Sequence, residues 1–333
     1  MNLNRTLAKW AAFTIVAAIL PALVRDQSYL MRVIAMAMLF AAMSQTWNIV
    51  GGLGNQISLG HAAFFGVGCY TSTLLLIRFG ISPWIGMLCA MGLSGIIGAL
   101  LCIPTMRLRG HYFALATLAF GEAVRVVANS WGSLTGGPVG ISVPVMDNSL
   151  TMLQFDSSTP YYYIFLVAFL VVTAVFIAIN RSKLGYRLRA LRASPEVAEV
   201  VGVDTARTKV VASCISAGLI GACGTLYAQF NFFFDPDSAF SLIGISINIA
   251  LICIIGGLGT AVGPLIGAFL ILPAEEVLNS LFTGQAGAGY AQLFYGLILV
   301  IIVLVEPRGV VALGSRFRDA VRHSRQAQLS SHG

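Results

Sequence analysis

Continuous apolar runs, each about as long as a bilayer is thick, follow one another along nearly the whole chain. A helix needs roughly 20 apolar residues to cross the hydrocarbon core. Unpaired backbone groups are so costly there that only helices or closed barrels can span it. Because the runs are continuous rather than alternating, they favour helices over barrel strands. We therefore predict an all-α polytopic membrane protein with about ten transmembrane helices, at approximate positions 8–24, 30–50, 57–77, 83–103, 111–128, 161–179, 210–230, 240–256, 262–281 and 290–305.

Composition agrees with a membrane location. Of the 333 residues, 57% are hydrophobic and only 10% are charged, too few charges to cover the surface of a soluble domain. Two runs are the least regular, because 57–77 follows a Gly-rich string and 262–281 contains prolines and glutamates. The number of spans can therefore lie anywhere from about eight to about eleven.

Lysine and arginine are concentrated in segments that would share one side of the membrane. Short loops rich in these residues stay in the cytoplasm. With both termini inside, sixteen of the twenty cations lie on the inner side, and the net charge of +7 follows from this sorting rather than from nucleic-acid binding. The sixteen are Arg5, Lys9, Arg107, Arg109, Arg181, Lys183, Arg187, Arg189, Arg192, Arg207, Lys209, Arg308, Arg316, Arg318, Arg322 and Arg325.

The predicted organisation has three parts. A short cytoplasmic N-terminus (1–7) precedes a transmembrane domain (8–306), and a polar, basic cytoplasmic tail (307–333) follows that we expect to be disordered. Within the domain, the cation-rich loop 180–209 lies inside and the Lys- and Arg-free loop 129–160 lies outside. The outer loop is either a docking site for a receptor or a loose connection.

The sequence contains no energy-supplying motif. A phosphate-binding loop needs Gly-Lys-Ser/Thr, since backbone amides hold the phosphate while the lysine reaches across it, and no lysine here follows a glycine. The strings Gly51-Gly52-Leu53-Gly54 and Gly256-Gly257-Leu258-Gly259 do not open a βαβ unit, so they indicate close helix packing or an unwound backbone facing a cavity. Histidines and cysteines lack metal-binding spacing. We predict no enzyme, no metal site and no cofactor in this chain.

The loop 180–209 contains the signature of one short helix. Ser194 is a good N-cap, Pro195 suits the first helical position, and Glu196 and Glu199 complement the positive end of the helix dipole. Gly202 can adopt the left-handed conformation that ends a helix. A helix of about two turns is too short to be stable alone in water. Either its own spans or a groove on a partner must support it, unless the segment is only a solvated loop.

The segment LRALRASPEVAEVVGVDTARTKVVASCISAGLIGACGTLYA resembles the coupling-helix region of ABC-importer permeases, specifically the LivM-type branched-chain amino acid branch. Glu196, Ala198 and Gly202 match its Glu-x-Ala-x-x-x-Gly core, while Glu199 replaces the usual second alanine. Three further segments resemble the same branch: NIVGGLGNQISLGHAAFFGVGCYT (48–71), RLRGHYFALATLAFGEAVRVVANSWGSLTGGPVGI (107–141) and IGGLGTAVGPLIGAFL (255–270). Together the matches cover most of residues 45–305.

The resemblance implies a type II permease fold of about ten helices, paired with a second permease in a bacterial inner membrane. It also implies two cytoplasmic ATPase subunits, which would bind ATP and Mg²⁺, and an external binding protein. The cargo would be leucine, isoleucine, valine or related apolar amino acids. The segment that couples to the ATPase would consist of Ser194, Pro195, Glu196, Val197, Ala198, Glu199 and Gly202.

Three alternatives remain open from the sequence. A permease of the same family can carry another small polar solute, such as urea or other amino acids. An ion-coupled secondary transporter would use a carboxylate near the membrane midplane, for which Glu122 is the chief candidate. A passive channel would need no docking helix.

Polar groups within spans or beside the Gly-rich strings are candidates for a translocation pathway. In an apolar medium such groups must find another helix, water or substrate. For His61 we favour packing between helices over substrate contact. Glu122 and Arg125 stand on one helix face and favour an ion pair, with the zwitterionic headgroup of an amino acid as the alternative partner. The candidates are Asn48, Gln56, Ser58, His61, Glu122 and Arg125, with Gly51, Gly52, Gly54, Gly256, Gly257 and Gly259 as helix breaks.

Overall fold

The computed structural model describes residues 27–105, 108, 110–146 and 148–281, together with positions 14, 17–21, 293, 296–297 and 309–311. Two π-helical turns, two short strands and a 3-10 turn accompany the α-helices. The π-helical turns are Ile49–Leu53 and Leu242–Ile247, the strands are β1 (Ile141–Ser142) and β2 (Phe233–Phe234), and the 3-10 turn is Gly137–Val139. The α-helices are α1 (Ser28–Asn48), α2 (His61–Phe79), α3 (Pro83–Thr105), α4 (His111–Ser130), α5 (Gly132–Thr135), α6 (Ser158–Arg181), α7 (Lys183–Ala193), α8 (Pro195–Val200), α9 (Thr205–Asn231), α10 (Pro236–Ala239), α11 (Asn248–Gly257) and α12 (Gly263–Leu281).

Six helical segments within the described residues are long and apolar enough to cross a membrane, which confirms a polytopic helical membrane protein. Predicted spans 111–128 and 262–281 coincide with α4 and α12, which contain charged residues and are not among the six. Most of 8–24 and 290–305 lies outside the described residues, as do 1–7 and nearly all of 307–333. The total of about ten helices and the type II fold therefore stay predictions. The six segments are Ser28–Leu53, His61–Phe79, Pro83–Thr105, Ser158–Arg181, Thr205–Asn231 and Pro236–Gly257.

Helix α9 packs closely against α2 and α3, and small residues allow the approach. A Cβ added to Gly95 would lie 3.2 Å from the carbonyl oxygen of Cys214, and one added to Gly221 would lie 3.0 Å from that of Ala90. Small residues at the interface let helices associate in lipid, where burial of apolar surface gives little drive. On another side, α1 packs against α6, α11 and α12. The span containing α1 is 83% buried and that of α3 only 33%, so α1 is central and α3 peripheral.

The first Gly-rich string does not interrupt its helix. Helix α1 continues through the π-helical turn Ile49–Leu53, and the non-helical backbone is 55–60, so the predicted span 57–77 begins at His61 instead. Part of this backbone is supported by another helix, because the Leu59 amide donates to the Thr117 hydroxyl at 3.0 Å. A partner supplied by a distant helix cannot be read from the local sequence.

The segment 129–160 is folded rather than a loose connection. It contains α5, the 3-10 turn and β1, which pairs antiparallel with β2 so that Ile141 lies opposite Phe234. Gln154 is buried, and its side-chain amide donates to the Pro144 carbonyl at 2.9 Å. These contacts hold the segment against the end of α9 from which β2 continues.

The segment 180–209 is mostly helical, which corrects our expectation of a long loop with one short helix. Helix α7 occupies Lys183–Ala193 and is followed directly by α8. The signal for α7 that we did not use is the helical spacing of three apolar residues, Leu184, Leu188 and Leu191. Leu188 and Leu191 are buried. The many cations between them obscured this pattern.

Candidate functional site

The predicted short helix is confirmed as α8. The Ser194 hydroxyl oxygen accepts a hydrogen bond from the Val197 amide at 3.4 Å, and Pro195 occupies the first turn. Gly202 has φ +83°, the left-handed conformation that commonly ends a helix. Glu196 and Glu199 are exposed, and the Thr205 hydroxyl donates to the Glu199 carboxylate at 2.8 Å.

The two faces of α8 differ in a way that the sequence did not reveal. We expected Ala198 in the docking core, but it is only 2% exposed within this chain, because its face of α8 turns toward α7 and α9. The exposed fractions of Val197, Val200 and Val201 are 61%, 87% and 70%. Apolar side chains exposed on a cation-rich segment are typical of a surface that another protein covers. Two adjacent valines within a polar segment were the available signal.

The two Gly-rich strings, 51–54 and 256–259, contact each other. Asn48 is fully buried between them, and its side-chain oxygen accepts from the Gly259 amide at 2.8 Å while its nitrogen donates to the Thr260 carbonyl at 2.9 Å. A Cβ added to Gly52 would lie 2.7 Å from the Gly259 nitrogen. The strings therefore act by close packing, with Gly51, Gly52 and Gly54 in helical backbone, Gly256 and Gly257 at the end of α11, and Gly259 in the turn that follows.

A buried polar cluster surrounds His61 at the start of α2. Its Nδ1 lies 3.1 Å from the Ser58 hydroxyl and its Nε2 lies 2.9 Å from the Ser216 hydroxyl. Ser216 in turn donates to the Thr46 carbonyl at 2.7 Å. The Trp47 indole donates to the Ser58 carbonyl at 2.8 Å. Both ring nitrogens of His61 thus have protein partners, which agrees with the favoured packing role, and substrate contact stays a prediction.

Gln56 lies apart from this cluster, on the side of α7 and α8. It is half-buried and faces a cavity of about 150 Å³. The cavity is also lined by Asn55, Arg192, Pro195 and Lys209. The non-helical backbone 55–60 therefore reaches from the interior of the bundle to helices α7 and α8.

A charged cluster lies in the second half of α4. Arg125 Nη2 donates to a Glu122 oxygen at 2.5 Å, which confirms the predicted ion pair. The structure adds two residues that the sequence did not connect: Asp237 of α10 pairs with Arg125, and the Asn129 side chain donates to Asp237 at 3.0 Å. The side chains of Arg125, Glu122 and Asp237 remain 31%, 45% and 58% exposed. Only tertiary packing brings α10 to α4, so spacing along the chain held no signal for Asp237.

The predicted pathway residues therefore fall into separate groups. Ser58 and His61 belong to the buried cluster at the end of the non-helical backbone 55–60, and Asn48 joins the two Gly-rich strings. Glu122 and Arg125 lie one to two turns beyond Thr117, the α4 residue that contacts this backbone. Within the described residues, no three His, Cys, Asp or Glu side chains are close enough together to hold a metal ion.

A protein-family model matches residues 29–303 of the chain. The matching family is described as "Branched-chain amino acid transport system / permease component". This range includes α1 to α12, the Gly-rich strings, the charged cluster and α8. No solved structure matches the chain.

Characterised relatives extend over a similar part of the chain. The permease protein LivM of the high-affinity branched-chain amino acid transport system of Escherichia coli K12 is 29% identical over 84% of this chain and 69% of its own length. Its counterpart from Salmonella typhimurium is 30% identical over the same shares. The E. coli K12 LivH permease protein of that system is 24% identical over 82% of this chain and 91% of its own length.

Proposed function

This chain belongs to the family of branched-chain amino acid transport system permease components, and from that premise we propose that it is the membrane subunit of an ATP-driven importer for leucine, isoleucine and valine. Its relatives are named as transport permease proteins and not as enzymes. The multi-pass helical bundle suits this role. We place it in a bacterial inner membrane, as its relatives from Escherichia coli and Salmonella typhimurium suggest. We place both termini in the cytoplasm because the cations are sorted to that side.

The observation that best supports an ATP-driven mechanism is the exposed face of α8 and its C-terminal end, formed by Val197, Val200 and Val201. No described contact of this chain covers Val197, Val200 or Val201. Burying apolar side chains stabilises a complex by roughly 25 cal/mol per Å², so an ATPase groove is a favourable site for this face. ATP and Mg²⁺ would bind to the ATPase subunits, and this chain would supply the helix that docks there.

We propose a second permease of the same family as the partner in the membrane. E. coli K12 has two different permease proteins, LivM and LivH, named for the same transport system, and this chain is similar to both. The importer would then contain these two permeases, two ATPase subunits and an external binding protein. The folded segment 129–160, on the opposite side from α8, is the proposed dock for the binding protein.

The charged cluster of Glu122, Arg125 and Asp237 is the proposed wall of the translocation pathway near its outer end. A charge facing lipid costs roughly 2.5–3.5 kcal/mol at the bilayer centre, so partly exposed charges in this region favour a face turned to water or to the second permease. Arg125 shared between two carboxylates offers both charges that a zwitterion needs. Leucine should therefore slow alkylation of a cysteine placed at Val126, which is 51% exposed and lies one turn from Glu122 on the same helix face; equal rates with and without leucine would contradict this role.

Reconstitution tests the proposed function. Vesicles containing this chain, the second permease, the ATPase subunits and the binding protein should accumulate leucine only when ATP is supplied. This chain alone should give basal flux even with an ion gradient, because it has no phosphate-binding loop. Strong concentrative uptake by the single chain would favour an ion-coupled transporter and contradict the proposal.

A matched pair of variants tests the docking face. Val200 on α8 and Val145 on the outer segment have almost equal exposed fractions, 87% and 84%. Val200→Asp should abolish copurification of the ATPase, whereas Val145→Asp should not. Equal recovery of the ATPase with both variants would show that α8 is not its dock.

A further inference from the structure

We infer that Arg192 is a positioning residue that transmits movement of the ATPase-bound helix α8 to the paired Gly-rich strings. The inference rests on the proposed function, since it assumes that α8 docks on an ATPase. Arg192 belongs to α7 and lies outside the segment 194–202 that the sequence assigned to coupling. It nevertheless joins the helix directly before that segment to the backbone that continues α1.

The first contact is a hydrogen bond across the chain. Arg192 Nη1 donates to the Gly52 carbonyl at 2.7 Å, and the bond is partly buried. Carbonyls in the last turn of a helix lack partners within it, so this guanidinium satisfies a group that α1 leaves open. A bond from a charged donor is about twice as strong as one between neutral groups.

The same guanidinium also lies beside the second string. A Cβ added to Gly259 would lie 3.4 Å from Arg192 Nη1 and 3.4 Å from the Gly52 carbonyl oxygen. Arg192 therefore sits where the two strings meet, beside the contacts that Asn48 makes to Gly259 and Thr260. A displacement of Arg192 acts on α1 and, through this turn, on α11 and α12.

The remaining contacts make α7 and α8 move together. Ser194 ends α7 and is the N-cap of α8, and the Ala198 amide donates to the Ser194 carbonyl at 3.0 Å. Leu188 of α7 lies in one apolar cluster with Val50 and Leu53 of the π-helical turn. With no flexible linker between the helices, a shift of α8 must move α7 or break these contacts.

The polar contact can be removed while the fold of α7 is kept. Arg192→Met retains most of the aliphatic stem but loses every donor, and Arg192→Lys restores a charged donor without the planar fork. Arg187 is the matched control because it lies on the same helix and is exposed. Arg187→Met removes the same charge from α7 and leaves the Gly52 contact intact.

Two measurements on the complete complex in nanodiscs test the role of Arg192. Leucine transported per ATP hydrolysed should fall about tenfold in Arg192→Met, the loss expected from one charged hydrogen bond, recover partly in Arg192→Lys, and stay at the parental value in Arg187→Met. Amide hydrogen exchange should show ATP-dependent changes at 194–202 and at 49–60 in the parent. In Arg192→Met the change at 194–202 should persist and the change at 49–60 should disappear.

Retention of the ATP-dependent change at 49–60 in Arg192→Met would overturn the inference. Failure of the proposed function gives a different pattern. If the parental complex transports no branched-chain amino acid yet shows both exchange changes, the proposed cargo is wrong and the exchange comparison still decides the role of Arg192. If the parent shows no ATP-dependent change at 194–202, both proposals are overturned.

Discussion

The strings 51–54 and 256–259 have the same four residues, Gly-Gly-Leu-Gly, but different backbones. The first continues α1 as a π-helical turn and all its residues are helical. The second ends α11, with φ +135° at Gly257 and +73° at Gly259. Glycine gives space for a neighbouring backbone in both strings, at Gly52 and at Gly256, but in the second string it also adopts an otherwise strained conformation. Identical local sequence therefore does not fix local structure here.

The contact between the strings explains part of this difference. The second string must turn so that the Gly259 amide and the Thr260 carbonyl can reach Asn48. The first stays helical, because it continues α1 directly after Asn48 and brings Gly52 against the Gly259 backbone. Substitutions of Gly52, Asn48 and Gly259 test the packing of the strings, the hydrogen bonds between them and the turn of the second string separately.

Gly52→Ala should have the largest effect on stability. Its Cβ would lie 1.8 Å from the Asn48 side-chain oxygen and 2.7 Å from the Gly259 nitrogen, so the strings must separate. Overpacking of this kind costs on the order of 3 kcal/mol. We expect a large fall in the apparent melting temperature of the detergent-solubilised protein. Gly54→Ala is the control, because its Cβ would be 3.3 Å from only a flexible Leu188 methyl group; an equal fall in both variants would contradict close packing of the strings.

Asn48→Ala should have an intermediate effect. It leaves the Gly259 amide and the Thr260 carbonyl without their partner, at a cost of about 2 kcal/mol. Thr173→Val in α6 is a suitable control, because the Thr173 hydroxyl is buried without a partner among the described residues and valine keeps the shape of the side chain, so its loss should be nearly neutral. Thermal unfolding should place Asn48→Ala well below Thr173→Val. The reverse order would mean that Asn48 does not hold the strings together.

Gly259→Ala should have the smallest effect of the three. The nearest atoms to its Cβ are 3.4 Å away, so space is adequate, and the cost comes from φ +73°. A left-handed conformation costs an L-residue about 1 kcal/mol. Gly259→Asn should be milder than Gly259→Ala, since asparagine tolerates this region better. If alanine is as stable as glycine in the melting assay, the turn does not need the left-handed conformation.

Much of the fold followed from the sequence because its cause is local. Long apolar runs form membrane helices because the hydrocarbon core of the bilayer itself favours them. No contact with a second segment of the chain is needed. The short helix α8 was equally predictable, because Ser194, Pro195 and Gly202 act on their own backbone. The Glu122–Arg125 ion pair followed from spacing on one helix.

What the tertiary structure alone decided depends on partners far apart in the chain. Asp237 joins Arg125 only because α10 packs on α4, and Arg192 reaches Gly52 only because α7 folds back onto α1. The inward position of Ala198 and the different backbones of the two Gly-rich strings have the same origin. The sequence by itself determined the long apolar helices and the short helix α8, but not α7 or the fold of 129–160. Packing determined which groups meet, because the free energy of each contact depends on a second segment that local sequence does not specify.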